Sequence, residues 1–237
     1  MRILATLIIV FCIPFPLLAQ SPSPMIESVS NAIVEQTNDF RKEHELAALA
    51  TNDALTKAAT DFAKYMARTD KYGHRADGRT PAQRAKAAGY KYCVVRENIA
   101  YRTNTGEVTA ESLIDVFVQG WIDSPPHREN MLADYVAETG VAIATTDDVN
   151  YYAVQLFGRP KSKSLKIEVR NESKEANVLV IETDESSDEM EIPPRVLLKT
   201  SRCFPTTLHL IGRSESMTID ESADIVIDAT GLRRVEP

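Results

Sequence analysis

Cysteine is scarce: three in 237 residues, with no Cys-x-x-Cys pair. That excludes a disulfide-dense mini-fold and offers no paired motif for redox work or zinc. Positive charge is also short. Lys and Arg number 27 against 34 Asp and Glu, a net charge of −7, so the basic footprint that non-specific nucleic-acid binding needs is missing. Past the N-terminus no run approaches the roughly 18 apolar residues of a membrane span. His-Glu-x-x-His, Gly-x-Ser-x-Gly, the phosphate-cradling Gly-x-x-x-x-Gly-Lys loop and Gly-x-Gly-x-x-Gly are all absent. Gly212-Arg213-Ser214-Glu215-Ser216 comes nearest to a hydrolase motif but lacks the second glycine. There is no internal repeat and no long low-complexity tract. What is present, 43% hydrophobic and 26% charged residues, is the composition of a folded chain. At roughly 100–200 residues per domain it makes one large domain or two small ones.

The first residues read as a secretory leader. Arg2 is a short positive region, residues 3–18 are nearly all apolar, and Ala19 is a small residue suited to cleavage. Residues 1–19 are therefore expected to be removed, and residues 20–24 to be a spacer built on Ser21-Pro22-Ser23-Pro24. Cleavage takes Cys12 away and leaves Cys93 and Cys203. Export to an oxidising compartment permits these two to pair, although sequence alone does not bring them together.

Helical periodicity follows. Ile26, Val29, Ile33 and Phe40 fall on one face of a helix predicted over 25–44. Leu55, Ala58, Ala59, Phe62 and Met66 stripe a second over 53–68, with Asn52 as N-cap. A short helix should begin at Thr80, with Pro81 at its first position and Gly89 past its end. A fourth spans 109–123 and carries Leu113, Val116, Phe117 and Trp121; Pro125-Pro126 stops it, and a single turn over 127–132 follows. Residues 140–144 and 151–157 then read as an antiparallel hairpin around the turn-rich 145–150. Helices before strands point to an α+β or three-layer domain. Beyond Gly158-Arg159-Pro160 short β-type runs take over at 165–170, 178–182, 195–199, 206–211 and 225–227. Residues 161–237 are expected to form a small all-β appendage, near the lower size limit for an independent core. The acidic stretch 184–191 reads as a solvated loop; it lacks the spacing and glycine of an EF-hand. Asn171-Glu172-Ser173 matches a glycosylation sequon.

Of the four histidines, His74 and His127 lie in loop-like contexts, and Glu97 sits between them in Arg96-Glu97-Asn98-Ile99-Ala100. Two imidazoles and a carboxylate suit a divalent metal with open positions, or acid–base work, and each also suits an ordinary loop-end hydrogen bond. Several motifs occur in order: Asn38-Asp39-Phe40-Arg41 with Leu46 and Leu49, Asn52 through Met66, Thr80-Pro81-Ala82-Gln83-Arg84 through Gly89-Tyr90, Glu97-Asn98-Ile99, the Trp121, Ser124, His127, Arg128, Asn130 pattern, and Gln155 with Phe157. Together they resemble the CAP superfamily (cysteine-rich secretory proteins, antigen 5 and group-one pathogenesis-related proteins), in its bacterial SCP-like branch, over residues 25–158.

The resemblance implies an α-β-α three-layer sandwich in which His74, Glu97 and His127 line an open cleft. Some relatives bind zinc or another divalent ion in a cleft of two histidines and two glutamates. Here the second glutamate is missing: Ser124 stands at that position and Asp123 is one residue off. His74, His127 and Glu97 remain as the metal-ligand set. Arg96, where the family usually has glycine, would pair with Glu97 and compete with a metal. Ser124, Asn98, Arg128, Asn130 and Gln155 are expected in support. Ser124 reads as a helix-end hydrogen-bonder or a nucleophile, the two asparagines as turn caps, Arg128 as a surface charge or carboxylate partner, and Gln155 as a brace for a cleft histidine or the backbone. Trp121 reads as core. The implied function is that of a secreted or envelope-associated protein whose cleft binds a metal, a small molecule or an extracellular polymer. Two other classes stay open: an extracellular metal-assisted hydrolase using the same cleft, and an interaction protein with a vestigial cleft.

Overall fold

The computed structural model describes residues 24–104, 106–183 and 186–235. The expected leader over 1–19 and spacer residues 20–23 lie outside them. Helix α1 (Pro24–Glu43) is followed by a two-residue strand β1 (Ala50–Thr51), α2 (Asp53–Thr69), α3 (Pro81–Ala87), β2 (Tyr92–Thr103), α4 (Ala110–Asp123), α5 (Pro125–Leu132), β3 (Glu138–Ala144) and β4 (Asn150–Pro160). Capping side chains set these limits. The Asn52 side chain accepts from the N–H groups of Ala54 and Leu55, and capping boxes at Thr80 and Thr109 start α3 and α4. Asp70, at φ 54°, closes α2. Pro125 and Pro126 were expected to stop α4 ahead of a turn at 127; they also occupy the first two positions of α5, where a missing N–H costs nothing.

The strands form one sheet in the order β1-β3-β4-β2. β3–β4 and β4–β2 are antiparallel, and β1 runs parallel to β3. Side chains of β3 and β4 alternate between two cores. Val141, Ile143, Tyr151, Ala153 and Phe157 pack with α1, α4 and α5 around Trp121, while Ala142, Val154 and Leu156 pack with α2 and α3 around Phe62 and Met66. This is the α-β-α sandwich. Gly140 lets α2 press onto the sheet: a Cβ there would collide with the backbone of Leu55 and Thr56. Two polar side chains continue the buried stripe of α1. Thr37 meets Gln155 across the core, and Arg41, fully buried, donates to the carbonyls of Ala47, Met131 and Ala133, tying down the end of α5.

Residues 165–235 form two further four-stranded sheets. Strands β5 (Leu165–Asn171), β8 (Leu197–Arg202), β11 (Ala223–Asp228) and β12 (Gly231–Arg234) stand in the order β12-β11-β5-β8. Strands β6 (Asn177–Glu182), β7 (Ser187–Ile192), β9 (Thr206–Leu210) and β10 (Ser216–Ile219) stand in the order β10-β9-β6-β7. All pairs are antiparallel except β5 with β11. The sheets enclose Ile167, Val169, Ile181, Leu208, Ile225 and Ile227. The acidic stretch expected to be a loop is corrected: residues 187–192 are an edge strand paired to β6. Asn171 of the sequon is fully buried, donating to the carbonyls of Glu175 and Ile192, so a glycan on it is incompatible with this packing.

The two parts meet at one seam. Cys93 and Cys203, 110 residues apart, form a disulfide with Cα atoms 5.4 Å apart. Beside it the Tyr135 and Phe204 rings meet edge to face at 5.2 Å, and the Arg159 guanidinium lies 5.7 Å over Phe204.

Candidate functional site

β2 is an edge strand, and the candidate site is built across it. Its odd-numbered residues Glu97 and Ile99 face the α2–α3 layer, while Arg96 and Asn98 face α5. The loop after α2 carries His74 to one side of the edge, and α5 carries His127 to the other.

Arg84 of α3 organises the first side. It is 2% exposed and stacks 3.5 Å over the Phe62 ring. One guanidinium nitrogen donates to Glu97 Oε2 at 2.6 Å and to the His74 carbonyl at 3.0 Å. The other donates to Asp77 Oδ1 at 2.9 Å and to the Arg79 carbonyl at 2.8 Å. Burial pushes the Asp77 carboxyl up, but the N–H and guanidinium of Arg79 and the charge of Arg84 outweigh it and hold the pKa below its ordinary value. Glu97, its side chain 1% exposed, holds His74 Nδ1 with its second oxygen at 2.8 Å. Asp77, Arg84, Glu97 and His74 thus form one chain of charge-assisted hydrogen bonds, buried except at its end. The carboxylate orients the ring through Nδ1, and the half-exposed His74 presents its Nε2 edge at the surface.

The second side is pinned by amides. Asn98 donates to the His127 carbonyl at 3.1 Å; Asn130 donates to the Glu97 carbonyl at 3.1 Å and to Asn98 Oδ1 at 2.8 Å. The asparagines expected as turn caps instead rivet α5 to the sheet edge. His127 Nδ1 is buried with no hydrogen-bond partner among the described residues. Burial, then repulsion from His74, holds the His127 pKa below its ordinary value, favouring the neutral ring.

His74, Glu97 and His127 are therefore brought together, but not as three ligands around one point. Both Glu97 oxygens are occupied, and among the described residues no group of three or more His, Cys, Asp or Glu is arranged to hold a metal. Arg96 does not pair with Glu97 as expected. Adjacent strand residues point to opposite faces, and Arg96 reaches Glu129 and Asn130 at 2.9 and 2.8 Å. Gln155 is not in the cleft: it is fully buried on the α1 side with Thr37 and Thr139. Ser124 joins α4 to α5 with no side-chain capping bond, and Arg128 is exposed on α5. Asp123 is turned to Gln119. Trp121 is core, at 1% exposure. The residue that reading the sequence missed is Arg84; its only signal was a charged side chain on the inward face of a short helix.

Residues 34–157 match the family described as CAP, the cysteine-rich secretory protein family. The chain belongs to this family. An uncharacterized protein of Borreliella burgdorferi is 28% identical to this CAP protein over 127 residues, 53% of this chain and 76% of that one. An outer surface protein of Borrelia burgdorferi superposes with a TM-score of 0.50 at 24% identity, over 57% of this chain and 95% of its own. An extracellular SCP-domain protein of Bacillus anthracis gives a TM-score of 0.47 at 23% identity, over 59% of this chain and 44% of its own. The superposition on the outer surface protein speaks to the fold alone.

Proposed function

We propose that this CAP protein is exported and that its cleft, between the His74 loop and α5, is a binding site for an extracellular or cell-envelope ligand. Export is supported by the leader-like N-terminus, by the Cys93–Cys203 disulfide, a bond favoured in oxidising compartments, and by a structural relative that is an outer surface protein. Among the described residues no helix is long and apolar enough to cross a membrane. Residues 161–237 act as a second domain clamped to the first.

One observation carries the reading of the cleft: the buried Arg84–Glu97–His74 chain. It neutralises the carboxylate and fixes an imidazole edge at the surface, which is how a preorganised binding site is made. The same chain argues against zinc held by three protein ligands, since a guanidinium already occupies Glu97. A divalent cation would have the two imidazoles for ligands, with Glu97 orienting His74 from behind.

The test is co-sedimentation of the exported protein with the isolated envelope of the producing cell, beside a His74→Ala/His127→Ala variant checked for folding by circular dichroism. Retention of the parent and loss of the variant supports the reading; equal behaviour of both overturns it in favour of a vestigial cleft. Hydrolysis is the second reading, favoured by the carboxylate-oriented His74, which is the arrangement of a general base. Against it, neither imidazole hydrogen-bonds a serine, threonine or cysteine among the described residues. Zinc titration calorimetry shows whether the imidazoles hold a metal; hydrolysis of a chromogenic ester or peptide, abolished in the double variant, is what would favour the hydrolase.

A further inference from the structure

Two tyrosines stand in the open beside the cleft, Tyr72 at 48% and Tyr101 at 56% exposure. Apolar side chains exposed as a contiguous group, and not singly, mark contact surfaces. Their centroids are 4.9 Å apart, edge to face, and Tyr101 stacks on the buried Tyr152 at 6.1 Å. The platform is rigid, because the Tyr72 hydroxyl donates to the Ile99 carbonyl at 3.1 Å and the Tyr152 hydroxyl donates to Asp70. Glu97, Ile99 and Tyr101 share one face of β2, a span of about 13 Å. Tyr72 bridges them at Ile99, so the aromatic surface runs directly into the His74 end of the cleft.

The chemistry of this strip narrows the ligand. Its faces are flat and aromatic, its polar end is the His74 ring oriented through Nδ1, and the nearby carboxylates Glu97 and Asp70 are held by Arg84 and by the Tyr152 hydroxyl. A lipid chain would leave the polar end unsatisfied. A polyanion would approach a chain of net charge −7. A peptide adding to the sheet edge would find the carbonyls of Glu97 and Ile99 already accepting from Asn130, Tyr72 and Trp121. A ligand with apolar C–H faces and a border of hydroxyls, which both donate and accept, satisfies both surfaces. We propose that Tyr72, Tyr101 and the His74 side of the cleft bind one strand of an uncharged polysaccharide. The proposal rests on the reading of the cleft as a binding site and names its ligand class.

The probes are soluble hexasaccharides of N-acetylglucosamine and of glucose, titrated into the full exported chain by calorimetry and followed by tyrosine ring resonances. At least one hexasaccharide binds and shifts Tyr72 and Tyr101. Tyr101→Ala weakens that binding about tenfold or more, while Tyr101→Phe, which keeps the ring, stays within about twofold. A sulfated hexasaccharide binds about tenfold more weakly or worse. Tyr101 is largely in solvent, so its loss leaves the fold intact, and the fluorescence of the buried Trp121 checks that. Absence of binding by both uncharged hexasaccharides at millimolar concentration, or binding indifferent to Tyr101→Ala, overturns the proposal. If both hexasaccharides fail while envelope retention still depends on His74 and His127, the polysaccharide falls and the cleft reading stands. If retention ignores the histidines, the cleft reading itself falls.

Discussion

Replacing Arg84 by methionine would remove a cation from between two carboxylates, Glu97 and Asp77, whose side chains are 1% and 4% exposed. The two are not left equally exposed to the loss. Asp77 keeps the backbone N–H and guanidinium of Arg79, whereas Glu97 keeps only His74. Breaking a buried ion pair from one side costs about 3–5 kcal/mol, because the remaining charge stays in a poor solvent. The carbonyls of His74 and Arg79 also lose their donor, at about 1 kcal/mol each. Methionine keeps an apolar stem over Phe62, which offsets part of the loss. The expected destabilisation is about 4–6 kcal/mol, a large share of the roughly 5–15 kcal/mol that holds a domain together. The protein carries its own probe: its single tryptophan, Trp121, is 1% exposed in the α1–α4 core, so its fluorescence in a urea titration follows the first part of the chain and not the β-sandwich. Adding Glu97→Gln removes the orphaned charge. The double variant should therefore recover about 2 kcal/mol or more relative to Arg84→Met. An Arg84→Met cost below about 1 kcal/mol, or a double variant as unstable as the two single losses summed, would refute the buried-pair account.

Three further outcomes are expected. His127 has its pKa held below the ordinary imidazole value, so the unfolded chain takes up a proton first as pH falls. Stability is full above about pH 6.5, declines below it, and stops declining once the folded ring also protonates. Urea midpoints of the parent should drop between about pH 7 and pH 5, and those of His127→Gln should drop less. Cys93→Ser opens a 110-residue closure and should cost about 4–5 kcal/mol by chain entropy. Because the remaining seam is small, residues 161–164 should become cleavable in limited proteolysis, and an unchanged digestion pattern would contradict the clamp. Gly140→Ala places a Cβ against the α2 backbone and should lower stability by about 1–3 kcal/mol, whereas Gly120→Ala, with open space around it, should not.

The helices were legible because each carries its own evidence. The stripes of α1, α2 and α4, the cap at Asn52, the start at Thr80 and Pro81 are local features that a chain expresses without knowing its neighbours. The sandwich of 165–235 was visible for the same reason in β5 and β9, which alternate buried and open residues. β7 was misread, since an edge strand pairs through its backbone while its acidic side chains stay in water. The central omission was β2. One face meets α3 and the other meets α5, so polar residues occur on both, and no period-two pattern survives where Arg96, Glu97 and Asn98 follow one another.

The sequence by itself determined the family, the helical layers and the identity of the imidazoles and carboxylate near the cleft, because motif and periodicity are properties of order along the chain. Only the tertiary structure decided what those groups do to one another. The pairing of Glu97 with Arg84 and not with Arg96, the riveting of α5 by Asn98 and Asn130, and the union of Cys93 with Cys203 depend on which faces of β2 meet which layers. Charges exert their effect through distance and burial, and residues thirteen positions apart in the chain, such as Arg84 and Glu97, acquire both only when the sheet edge and α3 are packed together.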